Sequence, residues 1–153
     1  MQIYLHRYGR LRVKYTQRQL KLVSEMPARE MRMEMFLRAL MRRDFNKAKS
    51  HLEKLKKMVG DDEWGRGYSK AINGFISALK DNDSDALIVQ LVKEVDHEKA
   101  EQLLEHFEGI LKHEFRDEYE KGYYTAWVEL LKAYLSQKTL GVKRGKRGAD
   151  EKA

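Results

Sequence analysis

From about residue 16 to residue 137 the apolar positions recur every three or four residues, the period of helices buried on one side. Thr16-x-x-Gln19 reads as a capping box ahead of Leu20, Leu22 and Val23. Pro27 disfavours helix in Met26 and suits a first helical turn, so the pattern predicts a break there and a new helix over about 27–42. Its apolar set is Met31, Met35, Phe36, Leu37 and Leu40, read as core, with an adaptable methionine contact surface as the alternative. Asp44 caps a helix of about 45–59 that turns Ala48, Leu52, Leu55 and Val59 inward, and Gly60 ends it. Asp61, Asp62 and Glu63 open a helix of about 62–80 with Trp64, Tyr68, Ala71, Ile72, Phe75 and Leu79 inside. After the turn Asp81-Asn82-Asp83 a shorter helix of about 84–94 carries Leu87, Ile88, Leu91 and Val92. Asp96 caps a helix of about 97–115 with Ala100, Leu103, Leu104, Phe107, Ile110 and Leu111 inside. The last, about 117–137, carries Tyr119, Tyr123, Ala126, Trp127, Leu130, Leu131 and Tyr134. Residues 140–153 have no apolar face and are expected to form a disordered basic tail. Residues 1–15 form an arm, extended or partly helical: basic and apolar residues alternate from Arg10 to Tyr15, yet Tyr4, Tyr8, Leu11 and Tyr15 also fall at helical spacing.

Two phrases occur twice. Lys47-Ala48-x-x-x-Leu52-Glu53 returns as Lys99-Ala100-x-x-x-Leu104-Glu105, and Gly67-Tyr68-x-x-Ala71, with Ala78, returns as Gly122-Tyr123-x-x-Ala126, with Ala133. The first pair is offset by 52 positions and the second by 55, so the later copy holds three extra residues, near His113 to Phe115. Such repetition marks a supersecondary unit that cannot bury its apolar face alone. Each copy is read as a helical hairpin, 45–80 and 97–137. A glycine within a helix costs about 1 kcal/mol relative to alanine, a cost that close approach of another helix offsets. The expected fold is all-α, one domain over 16–139, with about seven helices in antiparallel hairpins.

Asp44-Phe45-x-Lys47-Ala48-x-x-x-Leu52-x-x-Leu55 resembles the inter-helix turn and second helix of a tetratricopeptide (TPR) repeat, and Asp83-x-Asp85-Ala86 and Asp96-x-x-Lys99-Ala100-x-x-x-Leu104 echo it. The first-helix tryptophan, leucine, glycine and tyrosine pattern of that family is absent, as is its closing proline. The resemblance implies a TPR-like stack of hairpins, or otherwise an irregular helical bundle, and a scaffold that binds peptides or proteins.

Charge adds a polarity that the apolar pattern lacks. Residues 1–24 hold six basic and no acidic side chains, and residues 25–60 hold ten and five. Residues 61–137 hold nine and seventeen, and residues 138–153 six and two, which together account for the net charge of +7. Basic ends around an acidic body point to an anionic partner, against the plainer reading of a highly charged thermophile surface. The chain has no cysteine, which excludes disulfides and thiolate ligands and fits a reducing cytoplasm. Arg7, Arg10, Arg12 and Lys14 interrupt any signal-peptide core, and no apolar run approaches the roughly 20 residues of a membrane span. A cytoplasmic protein with no membrane partner is expected.

Little catalytic chemistry is written in the chain. There is no Gly-rich phosphate loop, dinucleotide fingerprint or nucleophile elbow. Glu94-x-x-His97 has the spacing of a di-iron bundle ligand pair, but it occurs once and straddles a turn. His97, Glu101, Glu105 and Glu108 read as a solvated helix face. No enzyme, catalytic residue, metal site or cofactor is expected. The arm is more informative: Arg7, Arg10, Arg12, Lys14 and Arg18 interleave with Tyr4, Tyr8 and Tyr15. Cations neutralise phosphates while tyrosine rings stack on exposed bases, which favours RNA over DNA. Lys143, Arg144, Lys146 and Arg147 of the tail complete the candidate interface, and Arg42, Arg43, Lys47, Lys54, Lys56 and Lys57 extend it. The expected function is a non-enzymatic accessory scaffold whose basic ends contact nucleic acid or a ribonucleoprotein. The alternative is a protein–protein adaptor with no nucleic-acid role, and a second copy of the chain is a further candidate partner.

Overall fold

A computed structural model describes the backbone of residues 2–4, 12–14, 17–113 and 116–152, and the side chains of residues 28–113 and 116–137. Strands β1 (Gln2–Tyr4) and β2 (Arg12–Lys14) pair antiparallel, with Gln2 opposite Lys14, Ile3 opposite Val13 and Tyr4 opposite Arg12. The described remainder is helical: α1 (Gln17–Met41), α2 (Phe45–Val59), α3 (Glu63–Asp81), α4 (Leu87–Lys93), α5 (His97–Leu111) and α6 (Glu118–Lys152). The capping box expected at Thr16 lies outside the described residues.

Among the described residues six helices stand where about seven were expected, because α1 continues through Pro27. A proline in a helix loses its own bond, here to the Val23 carbonyl, and its ring crowds that carbonyl, but its fixed φ is itself helical. The residue before a proline is therefore a biased helix boundary and not an obligatory one. At the other end α6 runs to Lys152, through the stretch expected to be a disordered tail. The backbone stays helical there in spite of Gly141, Gly145 and Gly148, each costing about 1 kcal/mol relative to alanine; the Lys, Arg, Ala and Glu residues between them are good helix formers, and no proline interrupts the stretch.

The caps explain the inner boundaries. Asp44, Asp62 and Asp96 each accept a bond from a backbone N–H three residues on, at 3.1, 2.9 and 2.9 Å. α1 and α3 end alike: Arg43 and Asn82 take left-handed φ values of 57° and 53°. The next residues, Asp44 and Asp83, bond back to the carbonyls of Ala39 and Ala78, the paired closure of a Schellman motif. α4 starts later than expected because Asp83 holds a turn, accepting from the Asp85 N–H at 3.0 Å.

The core gathers Met33, Phe36, Leu37 and Leu40 of α1 against α2 and the seam between α3 and α6. At that seam a Cβ on Gly67 would fall 1.9 Å from the Tyr119 carbonyl oxygen, and one on Gly122 would fall 1.9 Å from that of Trp64. Each glycine thus admits the backbone three residues before the other. Eight residues beyond Gly67 and Tyr119, Phe75 meets Trp127 edge-on at 4.8 Å between ring centroids. The two helices therefore run the same way, touching backbone to backbone at their first turns. The α2–α3 connection, residues 60–62, is three residues shorter than the α5–α6 connection, residues 112–117, the place where the extra residues were expected.

One apolar assignment is corrected. Met31 and Met35, expected in the core, are 63% and 40% exposed, and Met33 is fully buried in their place. The phase of α1 is set by Arg29, which is turned inward. No helix among the described residues is long and apolar enough to cross a membrane.

Candidate nucleic-acid interface

The residues expected to touch nucleic acid lie at the chain ends, and the structure brings few of them together. The hairpin register sets Tyr4 opposite Arg12 and Lys14 opposite Gln2. Arg7, Tyr8, Arg10 and Tyr15 lie outside the described residues. Arg18 falls in α1, and Lys143, Arg144, Lys146 and Arg147 fall in α6, described as backbone only.

The side chains that are described carry a second basic surface, which the sequence offered only as an extension. Arg42, Lys47, Lys54 and Lys57 are exposed along the end of α1 and along α2. Arg43 serves the fold: its guanidinium donates to the Leu79 carbonyl at 3.2 Å and lies 5.1 Å from the Phe45 ring, tying the α1–α2 turn to the end of α3. An open groove of about 600 Å3 runs between the end of α2 and the first half of α3. Lys56 and Lys57 line one side and Arg66 and Lys70 the other, against the two carboxylates of Glu53 and Asp61. Arg66 and Lys70 stand one turn apart on α3, and Arg66 is already held by Glu63 at 2.7 Å. Sequence reasoning missed Arg66 and Lys70, which sit in the acidic half of the chain and join the basic face only through the α2–α3 contact.

The field of this face is felt at His51. Its imidazole Nδ1 accepts from the Arg32 guanidinium at 3.0 Å, and its pKa is lowered, first by burial and then by Arg32, Lys54 and Lys47. A neutral His51 leaves the face its cations without adding one of its own near neutral pH.

A different polar cluster is buried. Arg29 and Glu129 form a forked ion pair, with Nε at 3.0 and 3.1 Å from the two carboxylate oxygens and Nη2 at 2.6 Å from Oε2. The Tyr68 hydroxyl donates to Glu129 Oε1 at 2.7 Å, and the guanidinium carbon lies 5.5 Å from the Trp64 ring and 5.7 Å from that of Tyr68. Burial pushes the Tyr68 hydroxyl well above its ordinary pKa, and the Glu129 charge pushes it further, so it stays a donor. The bonds among these three groups tie α1, α3 and α6 together. Its signal in the sequence was Arg29 itself, in helical register with Met33, Phe36 and Leu40.

On α5, His97 pairs with Glu101 at 2.9 Å, and Glu108 reaches Lys132 at 3.8 Å. No group of three or more His, Asp or Glu side chains able to hold a metal converges among the described residues. Comparison with protein-family models, curated proteins and solved structures gives no match to this chain.

Proposed function

We propose that this protein is a non-enzymatic helical scaffold whose basic ends and α2–α3 face contact nucleic acid, as RNA or within a ribonucleoprotein, while the rest of the body carries the protein contacts. The observation behind this reading is the segregation of charge: 22 of the 31 basic side chains lie in residues 1–60 and 138–153, and 17 of the 24 acids lie between them. Lys56, Lys57, Arg66 and Lys70 around one open groove support it, since a flexible polyanion can follow a groove that a globular acidic partner cannot enter. The mechanism is phosphate neutralisation with release of counterions, joined by stacking of bases on the tyrosines of the arm. The body is read as two TPR-like hairpins, α2–α3 and α5–α6. The matched caps at Asp44 and Asp96, the buried Ala48 and Ala100, and the reciprocal glycine contact support that reading.

The test is fluorescence anisotropy with a labelled single-stranded RNA across a series of salt concentrations. Log Kd is expected to rise linearly with log salt, with a slope of about 0.7 for each phosphate neutralised. Removing residues 1–15 and 141–153 should abolish most binding, and Lys56→Glu with Lys70→Glu should lower the slope by about 1 to 2. Binding indifferent to salt, or absent, overturns the reading. A protein partner retained through nuclease treatment in its place favours the adaptor.

A further inference from the structure

The outward side of α1 is built unlike the rest of the surface. Of the four large apolar side chains exposed among the described residues, Met31, Met35 and Met41 stand on this one helix. Met31, Met35, Arg38 and Arg42 follow one another at helical spacing, with Glu30, Glu34 and Met41 along one border. Glu30, Arg38 and Arg42 are exposed and Glu34 is half-buried, and no ion pair within the described residues engages any of the four. The face therefore offers apolar contact together with charges that have no counter-ion on the chain's described surface.

The order of these residues is self-complementary. Positions 30 and 42, 31 and 41, and 34 and 38 are each equidistant from position 36. A second α1 laid antiparallel across the first sets Glu30 against Arg42 and Glu34 against Arg38, twice each, and Met31 against Met41. Met35 of each copy then flanks the two-fold axis. The parallel arrangement sets like charge against like. Two acids and two bases leave the face locally neutral, so the net charge of +7 on each copy does not oppose contact there. Methionine side chains adapt to one another across such a seam at small cost in strain. An isologous contact of this kind closes at two copies, whereas basic α2 against acidic α5 of another copy would propagate.

We propose that the outward face of α1 is a homodimer interface in which two copies of this chain pair antiparallel about Met35. Sedimentation velocity after nuclease treatment, so that nucleic acid cannot bridge copies, is expected to show a concentration-dependent dimer. Arg38→Glu alone and Glu34→Arg alone each place like charges together at two symmetric contacts and should raise the dimer Kd by about tenfold or more. The double variant Glu34→Arg/Arg38→Glu restores opposite charges and should return to within about threefold of the parent. Circular dichroism and thermal unfolding check that each variant is folded. The chain has no cysteine, so Met35→Cys is a clean probe: mild oxidation should link two copies through position 35, and Ser77→Cys, exposed on α3, should not link. A chain that stays monomeric at about 200 μM, far above the Kd of a specific dimer, overturns the proposal. So does a dimer that ignores Arg38→Glu, or a loss that the double variant fails to recover.

Discussion

Helices α1 and α2 pack against each other and distribute their residues by opposite rules. α2 is a plain amphipathic helix: Ala48, Leu52, Leu55 and Val59 are buried, and its lysines face water. α1 buries an arginine and exposes three methionines. The difference lies in what each helix is asked to meet. α2 lies over the core with one side and needs only apolar area there, at roughly 25 cal/mol per Å2 removed from water. α1 is registered by a charge pair with Glu129, a hundred residues away, and that pair decides which side of an apolar helix faces in. Burying such a pair is a poor source of stability, but the wrong rotation of α1 would strand both charges.

The largest expected effect comes from breaking that registration. Glu129→Ala strips the buried guanidinium of its carboxylate and the Tyr68 hydroxyl of its acceptor, and should cost about 3–5 kcal/mol in urea denaturation. Arg29→Met with Glu129→Leu removes both charges and should cost less than either single change. If the double variant is the worst of the three, the pair is a stabilising interaction in its own right and not chiefly a registering one.

A smaller effect separates the outward side of α1 from the inward side of α2. Leu55→Ala empties a fully buried site and should cost about 2–5 kcal/mol. Met31→Ala, on a side chain 63% exposed, should stay within about 0.5 kcal/mol when measured on dilute monomer. A large loss at Met31 under those conditions would mean that the residue is covered within its own chain.

The same contrast separates what could be read in the sequence from what could not. The bounds of α2 were legible because Asp44 and Gly60 are local signals and the apolar spacing between them admits one phase. That some helix comes close at Gly67 and Gly122 was legible in the repeated Gly-Tyr-x-x-Ala, but not that α3 and α6 are each other's neighbour; Gly74 and Gly109, also within helices, face open space. The rotation of α1 was not legible. Met31, Met33, Met35, Phe36, Leu37 and Leu40 surround the helix, and only a contact with residue 129 chooses among them. The candidate interface divides likewise. The basic ends are visible as composition, but the groove exists only because Lys56 and Lys57 meet Arg66 and Lys70 across a turn.

The last effect probes the buried cluster through its proton. The Tyr68 hydroxyl has its pKa raised well above 10.0, by burial first and by Glu129 next, with Arg29 opposing. Above the ordinary tyrosine pKa the unfolded chain loses this proton while the folded one keeps it, so folding binds a proton and stability falls as pH rises. Below that pH the contribution is complete and flat. Tyr68→Phe should cost about 1 kcal/mol near neutral pH, the net worth of one hydrogen bond to a carboxylate that keeps its arginine. Because phenylalanine has no proton to lose, the gap between parent and variant should narrow between about pH 9 and 11, by up to about 1.4 kcal/mol per pH unit above the unfolded pKa. Tyr134, also raised by burial and donating to the Leu91 carbonyl at 2.7 Å, titrates in both chains and cancels from the difference. Urea midpoints at the two pH values measure the gap. A gap of constant size would mean that the hydroxyl is reached by water, and that α1 is held against α3 and α6 by the guanidinium fork alone.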